Sequence, residues 1–233
     1  MAPNRYREVI FHALCTVFYA YTHTQRVFKP GVTDTYGGNL KFFTMWTLYL
    51  TNFYHGAAII SSLSNIISGE NDNSSNKSKS MMFHSMLFPS SMITCCLFWV
   101  IYAIHPDLMV PEAIRKLMPI AGFYNNAVHT APLVTTFAEI LITSHVAVST
   151  LHGALIFVFY GGTYLVWICW VAYKTNIWVY PFLRALNGQM LVLFFAGVFI
   201  LALVLVNVCK KLVVLCNGNA RLNKEGIQKK KKQ

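Results

Sequence analysis

A threonine hydroxyl is a weak nucleophile. It becomes useful only when a neutral imidazole within hydrogen-bond reach can take its proton. Thr44 and His129 could form such a pair. Thr44 begins a polar series, Thr44, Thr47, Thr51 and His55, at spacings of 3, 4 and 4, which places all four on one face of a helix. A threonine stripe of this kind also serves ordinary hydrogen bonding between membrane helices. His129 follows Asn125 and Asn126 and precedes Thr135, Thr136 and Glu139. Glu139 lies ten residues beyond His129, roughly 15 Å along a helix, too far to orient that imidazole. It is expected to pair with a His or Lys of another helix, or to stay protonated.

Other chemistries lack their residues. There is no G-x-S-x-G elbow, no H-E-x-x-H and no P-loop. The histidines form no close-spaced boxes, and His145 with His152, seven apart, cannot complete a metal site. Both read as ordinary polar residues, and neither metal nor cofactor is expected. The six cysteines contain no C-x-x-C and sit mostly within or at the ends of apolar runs, as small buried apolar residues do.

The elements that must carry Thr44 and His129 follow from composition. Of 233 residues 55% are hydrophobic and 12% charged, about half the charge of a soluble domain. Mean hydropathy is +0.47. A soluble globule and a disordered chain are both excluded. Six apolar segments, approximately 9–28, 40–67, 84–105, 122–142, 153–173 and 189–209, are each near the ~20 residues that cross a bilayer. The fold class is therefore all-α, a polytopic membrane bundle of six helices in a single domain, with 210–233 a basic tail. The stretch 69–80 (GENDNSSNKSKS) reads as a low-complexity polar loop with two glycosylation sequons, at Asn73 and Asn76. No internal repeat of the transporter type is visible.

The net charge of +11 forms no basic stripe with interleaved aromatics, so no nucleic-acid partner is expected. Six spans put both termini on one side, where twelve Lys and Arg would stand against seven opposite. The bias favours cytoplasmic termini. Parity then supplies the argument for the reactive pair. The second and fourth spans enter from the same face, so Thr44 and His129, each about one turn inside, lie at similar depth near one leaflet surface.

Several segments resemble one known family. They are Thr35-Tyr36-Gly37-Gly38 through Lys41-Phe42-Phe43 to Thr44; Phe98-Trp99-Val100-Ile101-Tyr102-Ala103; and Asn125-Asn126-Ala127-Val128-His129-Thr130. Glu139 with Thr143-Ser144-His145, Trp167-Ile168-Cys169-Trp170-Val171 and Trp178-Val179-Tyr180-Pro181-Phe182 follow in order. From about residue 30 to 185 the chain resembles the androgen-induced protein family, which includes the androgen-dependent regulator of tissue factor pathway inhibitor. The resemblance implies a six-helix membrane hydrolase that cleaves fatty acid esters of hydroxy fatty acids, with Thr44 as nucleophile and His129 as base. The stretch 146–151 and the loop at 69–80 depart from the family pattern, and Pro132 stands early, which bears on substrate preference.

On this reading Thr44 forms an acyl-threonine that water then hydrolyses. Asn126, one turn before His129, is the candidate oxyanion donor, with Lys41 or a backbone N–H as alternatives and Glu139 in a supporting role. The expected partners are the bilayer and a lipid ester. A regulatory membrane protein acting through a protein partner is the competing reading. Lys230 and Lys231 resemble a dilysine retrieval signal, so the expected location is the endoplasmic reticulum or the plasma membrane.

Overall fold

The computed structural model of the chain describes residues 2–25, 35–68, 73–110, 112, 116, 122–146 and 148–230. Arg26, Lys29, Arg115, Lys231 and the side chains of Asn73 and Lys230 lie outside the described residues. Helices α1 (Ala2–Thr24) and α2 (Phe43–Ile67) come first, with a 3-10 turn (Gly38–Lys41) before α2. Helix α3 (Asn73–Met82) runs through a π-helical turn (Phe83–Leu87) into α4 (Phe88–Ile104). A short α5 (Pro106–Met109) follows, then α6 (Phe123–His129), α7 (Ala131–Ile142), α8 (Thr150–Thr175), α9 (Pro181–Arg184) and α10 (Gly188–Lys230). No strand occurs among the described residues.

Among the described residues three helical stretches are long and apolar enough to cross a membrane: Asn76–Ile104, Thr150–Thr175 and Gly188–Cys216. The last is the most apolar and the least covered by protein. Such a helix is stable only against lipid. Helices α1 and α2 fall short of that standard because of their polar side chains, yet those side chains point inward. In α1 the buried His12, Cys15, Tyr19 and Thr22 oppose the exposed Ile10, Leu14, Val17 and Tyr21. This reverses the amphipathicity of a helix in water.

Two of the sequence expectations change. Most of the stretch read as a polar loop at 69–80 is helical from Asn73 onward. Lys79 is tied there to Glu8 at 3.9 Å, and Ser80 Oγ accepts from the Val146 N–H at 2.9 Å. The span drawn at 122–142 is two helices, because Pro132 has no N–H for the helical ladder and its ring excludes the carbonyl four residues earlier. The break falls at Thr130.

Two registers organise the bundle. Helices α1 and α2 run antiparallel: Arg5 donates to the Asn65 carbonyl, His12 meets His55, and His23 stacks on Tyr49. Helix α2 and the α6–α7 rod run parallel. Thr44 meets His129 and Tyr54 meets Glu139, and both pairs are 85 residues apart in sequence. Helix α8 approaches the π-helical turn and α10 closely at Gly153, where a Cβ would fall 2.9 Å from Val206 and 3.3 Å from Ser85.

Candidate active site

Thr44 is the second residue of α2, and the turn that leads into it is tightly held. Gly37 and Gly38 have φ of 85° and 51°, the left-handed region that glycine enters without steric cost. A Cβ on Gly37 would also stand 3.3 Å from both Trp167 and Val171. The turn's carbonyls are then claimed by side chains. Trp46 Nε1 and Trp167 Nε1 both donate to the Leu40 carbonyl, at 2.7 and 2.9 Å, and the Tyr164 hydroxyl donates to that of Lys41 at 3.0 Å. The Phe43 N–H donates to the Tyr180 hydroxyl at 2.8 Å. This satisfies one of the helix N-terminal amides that lack an intrahelical acceptor. The Thr44 N–H has no acceptor within α2, and no side chain among the described residues takes it.

His129 closes α6. Its Nε2 is 3.3 Å from Thr44 Oγ1, and its Nδ1 is 3.0 Å from the Asn125 carbonyl oxygen. A carbonyl only accepts, so the proton sits on Nδ1 and the Nε2 lone pair faces the threonine. Phe98 stacks flat on the imidazole, centroids 3.6 Å apart and planes 13° from parallel. Trp99 Nε1 donates to Thr130 Oγ1 at 3.0 Å and fixes the helix break.

Two cavities meet at Thr44. The larger, about 440 Å³, is also lined by Lys41, Asn125, His129, Trp178 and Arg184. The smaller, about 100 Å³, is a slot walled by Phe43, Leu97, Phe157, Phe194 and Phe199. Aromatic and cationic side chains around the larger one suit the headgroup level of a bilayer, and the slot suits an acyl chain.

The structure brings together Thr44, His129 and Lys41, whose ammonium donates to Thr35 Oγ1. It separates the other two expected residues from them. Asn126 is exposed and bonds only the Gly122 carbonyl, at 3.4 Å. Its neighbour Asn125 lines the larger cavity with a buried Nδ2 that has no acceptor. Asn125 stands four residues before His129, the spacing that shares a helix face. Glu139 is buried elsewhere. Its Oε1 accepts from the Tyr54 hydroxyl at 2.6 Å and lies 3.2 Å from His145 Nε2, and its Oε2 lies 3.6 Å from His12 Nδ1. His145 is thus part of a buried polar group, whereas His152 is exposed. Of the threonine stripe, Thr47 does bond between helices, to Thr94 Oγ1 at 2.8 Å. Phe98, Tyr164 and Tyr180 carry the site as packing and hydrogen-bonding partners; no spacing in the sequence marks Tyr164, while Phe98 and Tyr180 lie in segments of the family pattern.

The model of the FAR-17a/AIG1-like protein family matches residues 7–213. The human androgen-induced gene 1 protein is 27% identical over 72% of this chain and 73% of its own length. The androgen-dependent TFPI-regulating proteins of mouse and human are each 25% identical, over 71% and 72% of this chain and the same shares of their own. No solved structure matches the chain.

Proposed function

The chain belongs to the FAR-17a/AIG1-like family, and we propose that it is a membrane hydrolase that cleaves fatty acid esters of hydroxy fatty acids. The observation that carries this reading is the Thr44 Oγ1 to His129 Nε2 contact at 3.3 Å, at the junction of a polar cavity and an apolar slot. The proposed topology is six membrane helices with cytoplasmic termini. It draws support from the inward polar and outward apolar faces of α1 and from the parallel course of α2 and α6–α7.

The ester enters laterally with its carbonyl beside Thr44. His129 Nε2 takes the hydroxyl proton as Thr44 Oγ1 bonds to the carbonyl carbon. The negative charge that develops on oxygen is met by the Thr44 N–H, at the positive end of α2, and by Asn125 Nδ2. The tetrahedral centre collapses, the C–O bond to the alcohol breaks, and the alkoxide takes the proton from His129. Water entering through the larger cavity then gives a proton to His129 and attacks the acyl-threonine; the bond from the acyl carbon to Thr44 Oγ1 breaks, that oxygen takes the proton back from His129, and the acid leaves. A backbone carbonyl, not a carboxylate, steadies His129 Nδ1, so the catalytic unit is a dyad.

A fluorophosphonate probe tests this directly. The adduct is expected on Thr44 of the detergent-solubilised protein and absent from His129→Ala. Folded parent protein that takes no label would shift the reading to a regulatory role through a protein partner. The oxyanion assignment has its own test. Asn125→Ala should lower kcat by about 10²–10³-fold, whereas Asn126→Ala should leave it near the parent value. Equal effects at both positions would remove Asn125 from the mechanism.

A further inference from the structure

The helix pair that carries Thr44 and His129 bears a second polar centre ten residues further along, about 15 Å away. His12 of α1, His55 of α2 and Glu139 of α7 are 0%, 1% and 0% exposed. One ligand-capable atom from each lies within 4.8 Å of the other two. His12 Nδ1 is 2.9 Å from His55 Nδ1 and 3.6 Å from Glu139 Oε2. None of the three lines either cavity at Thr44.

We propose that His12 Nδ1, His55 Nδ1 and Glu139 Oε2 bind one divalent first-row cation, zinc by the nature of the donors. Hydrogen bonding alone leaves one of the three acceptors unsatisfied. The two imidazoles can share one N–H between their Nδ1 atoms. Glu139 Oε2, fully buried, then still has no hydrogen-bond partner. A carboxylate oxygen left bare in a bilayer interior is costly. A cation takes a lone pair from all three atoms at once.

The geometry suits it. Zinc bonds to nitrogen and oxygen of about 2.0–2.1 Å in a tetrahedron place ligand atoms roughly 3.3–3.4 Å apart. The observed 2.9 and 3.6 Å lie on either side of that value. Two imidazoles and one carboxylate are a recurrent donor set for zinc and for non-haem iron. A supporting layer stands behind the carboxylate, while Nε2 of His12 and of His55 has no partner among the described residues. Tyr54 at 2.6 Å and His145 at 3.2 Å both address Oε1 and aim Oε2 at the imidazoles, as groups behind metal ligands do. Each ligand comes from a different helix, 43 and 84 residues apart in sequence, so no close-spaced His motif announces the site. The cation would pin α1 to α2 and α7, at a depth that gives it no contact with the ester.

The full chain, purified in detergent without chelator and with a tag free of histidine, is assayed for metal by mass spectrometry. About one zinc per chain is expected. Cobalt added to chelator-stripped protein should give visible absorption bands that zinc abolishes. His12→Ala and Glu139→Gln should each weaken binding by about 10–100-fold, whereas Thr44→Ala should retain the metal. Should those variants fold poorly, the parent decides. Stripping should lower its Tm, and zinc but not magnesium should restore it. Folded parent with neither zinc nor a cobalt spectrum would show a proton-sharing network and overturn the proposal, as would full metal content in folded His12→Ala. Fluorophosphonate labelling at Thr44 reads the hydrolase assignment separately.

Discussion

Thr44→Ala is expected to reduce ester turnover to the uncatalysed rate, and His129→Ala to lower kcat by about 10²–10⁴-fold. The double variant should be no worse than the poorer single one, because a nucleophile and its base act as one unit. Both side chains are only partly buried, so folding should survive either change. The check is steady-state hydrolysis of a lipid ester in micelles, with mass spectrometry of quenched parent protein for an acyl group on Thr44. Parent-like turnover by purified Thr44→Ala, or losses that multiply in the double variant, would refute the dyad.

Glu139→Ala should cause the largest loss of stability. The carboxylate is the common partner of Tyr54, His145 and His12. Removing it leaves three polar side chains facing one another in a dry interior. Deleting one member of a buried polar pair costs about 3–5 kcal/mol. Tyr54→Phe, which deletes a single donor, should cost about 1–3 kcal/mol. Thermal unfolding in detergent measures both. A Glu139→Ala shift no larger than that of Tyr54→Phe would mean that the carboxylate does not organise this centre.

The candidate pair was legible from the family resemblance, and depth agreed with it. Hydrophobic segments and their parity set the relative height of residues on different helices, and Thr44 meets His129 in the parallel register that parity required. Azimuth was not legible. Whether Asn125 or Asn126 faces the cavity depends on how α6 is rotated against α2, and tertiary packing fixes that. Hydropathy also treated polar helices unevenly. The histidines that lower the apparent membrane character of α1 and α2 are among the side chains that join them, His12 to His55 and His23 to Tyr49. The deep centre was invisible for a related reason. His12 and His55 lie on separate helices, and only the folded antiparallel register brings them to 2.9 Å. Helix α3 was hidden by its composition, since Lys79 gains its value from Glu8 on another helix.

The interruption at Thr130 lies between His129 and Glu139. An unbroken rod would oblige any change at one end to be transmitted to the other. Here the seven residues of α6 can tilt or change their side chains while α7 keeps its grip on the deep carboxylate. Substrate preference and structural integrity are thereby open to separate selection. The cavity wall can drift while the anchor beneath it stays fixed.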